Sequence, residues 1–157
     1  MIKPNKLMEE CNFDFDKVFS DDEIYSKDIG KIIKNYTRSE LSKAHKISQE
    51  RIESGIYKGS EGAKQIALLH DCLIYKYLEF LSKYIHPLNN PTEAEKISVL
   101  ATGGYGRRLL APGSDIDLLF LLPYKKTAWA EIAIENTLYF LWAVSYTHLR
   151  AHETILD

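Results

Sequence analysis

The sequence predicts an α+β fold, with an N-terminal pair of helices followed by part of a β-sheet and its flanking helices. Apolar residues recur at three- and four-residue steps through residues 35–88, which is the spacing of a helix face. Between residues 95 and 142, two short apolar runs flank a glycine-rich turn and precede another helical stretch. A chain of 157 residues is long enough to bury one sizeable core.

The N-terminal residues 1–34 hold no steady apolar period and carry charges of both signs. A segment of that composition gains little free energy from burial, so we expect a polar leader that is flexible or loosely docked. The helical region is expected to begin near residue 35.

The helical region contains two helices that a glycine-containing turn separates. The first is predicted over Ser39–Tyr57, where Gly55 and Gly59 weaken and end it. The second has Ser60 as its expected N-cap and one long apolar stripe that continues to residue 85. Two helices joined by such a turn most simply pack against each other.

Composition excludes several classes of function. The net charge of -2 argues against a broad electrostatic grip on nucleic acid. Two cysteines, Cys11 and Cys72, lie far apart without metal-like spacing, which suits a reducing compartment. No apolar run approaches the roughly 20 residues of a membrane span, and the N-terminus lacks a hydrophobic signal region. We therefore expect a cytoplasmic protein with no nucleic-acid or membrane partner.

Two strands are predicted around the glycine-rich turn. The first, Ile97–Ala101, leads into Thr102–Gly106, and the second is Asp115–Leu122. From residue 127 to 142 the chain is predicted to be a helix that is apolar on most sides and therefore largely buried.

Aromatic residues at helical spacing, among them Tyr139 and Trp142, are expected in the core rather than as platforms for a nucleobase. Tyr105, inside the glycine-rich turn, is the one aromatic side chain whose role this argument leaves open. His70-Asp71 is expected to be a packed or half-exposed helical pair, and a zinc site at His148 and His152 is not expected.

Two carboxylates at the start of the second strand carry the predicted chemistry. Asp115 and Asp117 are two residues apart, so in a strand they share one face at about 6.6 Å along the chain, while Ile116 points into the core. An unpaired buried carboxylate is very costly, whereas two that converge can share an ion. Hard oxygen ligands suit Mg²⁺, which binds carboxylates together with substrate phosphates.

The glycine turn supplies the second half of the predicted site. Without side chains at Gly103 and Gly104, backbone N–H groups can approach a phosphate closely, and a helical turn over residues 105–109 would add a positive dipole end. Ser114 can offer its hydroxyl to a triphosphate, and one of the two arginines that follow the turn, Arg107 or Arg108, can neutralise phosphate charge. Together with the carboxylates, these residues predict a nucleotidyl-transfer site.

These residues also carry a family resemblance. The segment from Gly103-Gly104-Tyr105-Gly106-Arg107 to Asp115-Ile116-Asp117-Leu118-Leu119-Phe120 resembles the uridylyltransferase domain of bifunctional PII uridylyltransferase/uridylyl-removing enzymes. Those enzymes belong to the DNA polymerase β-like nucleotidyltransferase superfamily. The likeness continues to Trp142, and Leu68-Leu69-His70-Asp71 also fits the helical region that precedes the family's domain.

The resemblance implies a reaction and its participants. A tyrosine of the PII signalling protein would receive UMP from UTP, with pyrophosphate released and glutamine acting as effector of the full-length enzyme. Asp115 and Asp117 would be the catalytic Mg²⁺ ligands. Gly103, Gly104, Ser114 and Arg107 would bind the nucleotide.

The sequence departs from the family pattern at two places. Arg108 and Leu109 stand where many relatives have Gly-Glu, positions that we regard as variable. The superfamily also uses a third carboxylate from a later strand. We find no acidic residue after Asp117 on a strand-like segment, because Glu131 and Glu135 fall on the predicted helix.

The end of the chain is expected to be non-native over residues 143–157, because Val144–Thr154 resembles the translation of a sequencing adaptor. Residues 95–142 would then be a partial nucleotidyltransferase domain. Two alternatives to uridylyl transfer stay open. One is adenylyl transfer to glutamine synthetase, or transfer by an uncharacterised signalling nucleotidyltransferase. The other is an inactive, truncated nucleotide-binding fragment.

Overall fold

The helical pair precedes the strands along the chain, as predicted. The computed structural model describes residues 13–18, 28–88, 90–111, 113–144 and 149–156. Within these residues the helices are α1 (Ile29–Glu53), α2 (Gly59–Phe80), the single turn α3 (Gly103–Gly106) and α4 (Ala128–Val144). The strands are β1 (Ser98–Ala101), β2 (Ile116–Leu122) and β3 (Leu149–Ile155). A π-helical turn, Leu81–Ile85, continues α2, and short 3-10 turns lie at Phe15–Lys17 and Glu93–Glu95.

Strand β2 lies at the centre of a three-stranded sheet. It pairs antiparallel with β1, with Ala101 opposite Leu118, and parallel with β3, with Ile116 opposite Leu149. Helix α4 makes the crossover that a parallel pair requires. Side chains along β2 alternate between fully buried and half-buried, so one face of the strand forms core and the other faces the candidate site.

One hydrophobic cluster includes residues of the helical pair and of the sheet. The rings of Tyr77 on α2 and Phe140 on α4 stack in parallel with centroids 3.7 Å apart. Arg38 on α1 donates a hydrogen bond of 2.6 Å to the carbonyl of Ala143 in the last turn of α4. A cation at the C-terminal end of a helix also interacts favourably with the helix dipole. Through these contacts the helical pair and the sheet half of the chain are packed as one unit.

The expectation of a loosely docked leader is wrong for residues 13–18 and 28–34. Phe13 and Phe15 are 1% and 3% exposed, and the Phe15 ring contacts Tyr36 at 5.9 Å between centroids. Asp16 accepts hydrogen bonds from Lys83 at 3.0 Å and Tyr84 at 2.8 Å. Two aromatic side chains anchor a short segment without any periodic pattern, which is why periodicity did not reveal it. The rest of the leader lies outside the described residues.

The ends of the two long helices differ in part from the prediction. Helix α1 begins at Ile29, earlier than expected, and ends before Gly55, whose φ of 75° requires glycine. Lys58, rather than Ser60, is the N-cap of α2. The carboxylate of Glu61 accepts the Lys58 backbone N–H at 2.7 Å, so the acidic residue of the first turn satisfies the helix start.

The prediction that α4 is largely buried is wrong for one of its faces. Tyr139 and Trp142 are 68% and 65% exposed, although both were expected in the core. Together with Ile132 and Glu135 they form a stripe at three- and four-residue spacing, opposite the buried face that carries Ala133 and Leu141. No helix in the described ranges is both long and apolar enough to cross a membrane.

A third strand forms where the sequence indicated none. Strand β3 lies within the segment expected to be non-native, and residues 145–148, which precede it, lie outside the described residues. Four of the strand's described side chains, His152, Glu153, Thr154 and Ile155, are exposed, so the strand has no buried apolar face by which to predict it. The expectation about the origin of this segment stays a prediction.

His70 is buried on α2, as expected for a packed helical residue, and Asp71 beside it is half-buried. Burial lowers the pKa of His70 to about 4 from an ordinary value of 6.5, although the Ile66 carbonyl, 2.6 Å from Nδ1, favours the protonated ring. The folded chain therefore holds this ring neutral at pH values where the unfolded chain protonates it.

We predict that the free energy of unfolding falls by about 3 kcal/mol as pH drops from about 6.5 to about 4, because only the unfolded state gains the His70 proton in that window. In His70→Gln this part of the loss should disappear, leaving what other groups contribute, among them His45, whose pKa burial also lowers. The variant is less stable than the unaltered chain at pH 7. Urea unfolding at a series of pH values measures it. His152→Gln, at an exposed histidine, is the control, and an unchanged slope in His70→Gln would contradict the assignment.

Candidate active site

The antiparallel pairing of β1 and β2 brings the glycine turn to the acidic start of β2. Beyond the last paired residues of β1, the backbone N–H of Thr102 donates to the carbonyl of Asp117 at 2.9 Å. Helix α3 begins at the next residue, Gly103. The turn and Asp117 are therefore neighbours across the ladder, although fourteen positions separate Gly103 and Asp117 in the sequence.

Gly103 lies directly against the carboxylate of Asp117. Its φ is 57°, in the left-handed region that favours glycine, and a Cβ atom built there would overlap Oδ2 of Asp117. The backbone conformation therefore favours glycine, and the available space requires it. The structure places one predicted metal ligand beside one predicted phosphate-binding residue.

The helical turn α3 starts two residues earlier than the sequence indicated, at Gly103 rather than Tyr105. Its first hydrogen bond runs from Gly106 N to Thr102 O at 2.7 Å, and Leu109 N donates to Gly104 O at 3.0 Å. The N–H groups of Gly103 and Gly104 precede this first bond, which is the position of donors without an intrahelical acceptor. They can therefore donate to a ligand beside Asp117.

The two carboxylates flank a core residue at the start of β2. Ile116 is 0% exposed, Asp117 is half-buried, and Asp115, the residue before the strand, is exposed. Successive side chains of a strand point to opposite faces, so Asp115 and Asp117 lie on the side away from the core. Carboxylates on that side can receive a cation from solvent.

Ser114 and Arg107 occupy different ends of the candidate site. Ser114 is half-buried next to Asp115, in a turn closed by its N–H donating to Ala111 O at 3.0 Å. Arg107 is exposed and caps the C-terminal end of α3, the end opposite Gly103. Ser114 thus lies with the carboxylates, whereas the backbone of Arg107 is at the far side of the turn.

The donor set fits Mg²⁺, because that ion binds one or two carboxylates and completes its shell with water and phosphate oxygens. Within the described ranges, no three side chains of His, Cys, Asp or Glu are grouped to hold a metal ion. Asp115 and Asp117 are two carboxylates that could hold such an ion together with water and phosphate oxygens.

The expectation that no acidic residue after Asp117 lies on a strand is wrong, because Glu153 is on β3. Glu153 is nevertheless on the other face of the sheet. It is in register with Phe120, an odd number of residues from Asp117, and its carboxylate pairs with Lys126 at 2.8 Å. Its geometry does not make it a third ligand to the same ion.

Tyr105 has a role that the sequence left open. It is 2% exposed, so it is not a platform for a nucleobase, and its hydroxyl donates to Oδ1 of Asp71 on α2 at 2.7 Å. Burial raises the pKa of the Asp71 carboxyl, and the Tyr105 hydroxyl and the Arg108 guanidinium offset part of that rise. A contact between residues 34 positions apart leaves no trace in periodicity.

Arg108 adopts a backbone conformation that rarely suits a side chain. Its φ is 57°, and it is the one residue other than glycine with positive φ in the described part of the chain. Glycine would adopt this φ without the strain that a side chain adds. The expectation that the position varies among relatives stays a prediction.

Comparison with known proteins confirms the resemblance. Over 91 residues the chain is 50% identical to the bifunctional uridylyltransferase/uridylyl-removing enzyme of Cereibacter sphaeroides. This match covers 58% of the chain and 10% of that protein. Over 118 residues it is 41% identical to the enzyme of the same name from Phenylobacterium zucineum, which covers 75% of the chain and 12% of that protein. The chain thus matches about a tenth of the length of these relatives. No family profile and no solved structure matches it.

We predict that Arg108→Gly raises the free energy of unfolding by about 0.5–1 kcal/mol, since it removes the cost of a side chain at positive φ. Arg107→Gly is the matched control, because Arg107 has φ of -83° and glycine there should destabilise by a similar amount. Thermal unfolding of both variants measures the difference. Equal losses in the two variants would show that residue 108 is not constrained.

Proposed function

We propose that this chain supplies the nucleotide- and magnesium-binding part of a uridylyltransferase that transfers UMP from UTP to a tyrosine of the PII signalling protein. The names of both relatives, at 41–50% identity, support uridylyl transfer rather than the adenylyl alternative. The observation that carries the proposal is the close approach of Gly103 to the Asp117 carboxylate. This approach gives donors for phosphate oxygens and a ligand for a cation in one place.

In the proposed reaction, the tyrosine oxygen forms a bond to the α-phosphorus of UTP. The bond from that phosphorus to the bridging oxygen breaks, pyrophosphate leaves, and the hydroxyl proton is released. Mg²⁺, when bound, would offset the charge of the triphosphate and of the departing pyrophosphate. Asp115 and Asp117 would hold that ion, and the chain's remaining task is to orient the substrate.

Each further predicted residue has a separate part in that orientation. The N–H groups of Gly103 and Gly104 would donate to phosphate oxygens, where fixed dipoles favour the charge that develops during transfer. The Ser114 hydroxyl would contact the triphosphate from the side of Asp115. The long side chain of Arg107 would reach back over the turn to the phosphates. No described residue is assigned to glutamine sensing or to uridylyl removal.

The proposed location is the cytoplasm. The chain has two cysteines, Cys11 and Cys72, which lie far apart in the sequence and form no disulfide-framework pattern. Such cysteine usage is typical of reducing compartments.

We predict that Asp115→Asn combined with Asp117→Asn lowers uridylyl transfer by about a thousandfold or more, in an enzyme of full length that carries these residues. Both side chains face away from the core, so the fold should be retained, as circular dichroism would show. Transfer is measured with UTP labelled at the α-phosphate and PII as acceptor. Glu135→Gln, at an exposed carboxylate of α4, is the control. Undiminished labelling of PII by the double variant would refute the assignment.

We predict that Gly103→Ala weakens binding of Mg·UTP to this chain by more than about tenfold, because the added methyl group displaces the Asp117 carboxylate. Gly55→Ala is the matched control. Gly55 also has positive φ, so alanine costs a similar backbone strain, but nothing lies within 4 Å of its Cβ position. Equilibrium dialysis with labelled UTP measures the affinities, and equal affinities in both variants would contradict the site.

A further inference from the structure

The glycine turn, Gly103–Gly106, has one side chain that can contact the rest of the protein. Three of the four residues of α3 are glycines, and glycine leaves the backbone with more conformational freedom than any other residue. Tyr105 is the remaining residue, and its side chain is buried, with 2% of the residue's surface exposed. The position of the turn therefore depends on what Tyr105 contacts.

The contacts of Tyr105 lie on α2, outside the predicted nucleotidyltransferase segment. Its hydroxyl donates to Oδ1 of Asp71 at 2.7 Å, and its ring meets the ring of His70 edge-on with centroids 6.2 Å apart. His70 is itself fixed by the carbonyl of Ile66 at 2.6 Å. Two successive residues of one helix thus hold the ring and the hydroxyl.

The turn also lies close against β1, so it has no room to move toward that strand. A Cβ atom built on Gly106 would lie 2.5 Å from the carbonyl oxygen of Ala101. On its other side, Gly103 touches Asp117. The turn is enclosed by β1, β2 and α2, and Asp71 supplies the polar contact from the helix.

We propose that Asp71 is a positioning residue for the triphosphate, acting through the Tyr105 hydroxyl to hold the Gly103 and Gly104 N–H groups in place beside Asp117. This inference rests on the proposed function, because the donors matter only if phosphate binds there. Asp71 is not a catalytic residue, since it contacts the turn rather than the substrate. Its effect on UTP passes through Tyr105.

The hydrogen bond predicts a specific pattern among three variants. Tyr105→Phe removes the donor and Asp71→Ala removes the acceptor, so each should weaken Mg·UTP binding about fivefold to tenfold. The double variant should bind no more weakly than Asp71→Ala alone, because both changes remove the same hydrogen bond. Asp71→Asn keeps an oxygen that can accept the bond and should bind within about twofold of the unaltered chain.

A second measurement separates positioning from stability. Ile74→Val lowers stability from the same helix without removing a hydrogen bond to the turn, and it should leave the affinity for Mg·UTP unchanged. Amide hydrogen exchange at Gly106 and Leu109, whose N–H groups close the turn, should accelerate in Tyr105→Phe but not in Ile74→Val. Tyr139→Phe, at an exposed tyrosine of α4, is the control for loss of a hydroxyl.

Equilibrium dialysis of the 157-residue chain with labelled UTP and Mg²⁺ gives the deciding result. Weakened binding in Tyr105→Phe and Asp71→Ala, with rescue in Asp71→Asn, is the expected outcome. Unchanged affinity in Tyr105→Phe, or an equal loss in Ile74→Val, would overturn this inference alone. Failure of the unaltered chain to bind Mg·UTP would overturn the proposed function and this inference with it.

Discussion

The candidate site depends on one backbone hydrogen bond, donated by Thr102 to the carbonyl of Asp117 at 2.9 Å. It continues the antiparallel register of β1 and β2 by one residue and so determines which residue of the turn meets which residue of the strand. A slip of one residue would turn Asp117 toward the core and Ile116 toward the turn. The burial of Ile116, at 0% exposed, therefore stabilises the same register that the chemistry needs.

The helical half of the chain supports this register from the other side. Phe15, Tyr77 and Phe140 bring the leader, α2 and α4 into one aromatic cluster, and α2 in turn presents Asp71 to the turn. The helices thus do more than precede the sheet in sequence. They fix the position of Asp71 and, through it, of Tyr105. Packing in the core is thereby connected to the position of the Gly103 and Gly104 N–H groups.

Local patterns predicted what local physics determines. The two apolar runs located β1 and β2 to within one residue, and α1 ended just before Gly55, one of the two glycines expected to end it, at Glu53 rather than Tyr57. Contacts between distant segments escaped prediction, because a single buried Phe15 or the Asp71–Tyr105 bond has no periodic signature. Trp142 was wrongly expected in the core for a related reason. The sequence shows that its apolar side chain would gain free energy from burial, but not whether a neighbour covers it.

The parallel pairing of β2 with β3 separates the sheet into an early and a late part. Strands β1 and β2 join through a short connection, whereas β3 must wait for all of α4 to cross over. Contacts of low sequence separation form first because less loop entropy is lost. We therefore expect β1 to pair with β2, and the turn at Gly103 to meet Asp117, before β3 joins the sheet.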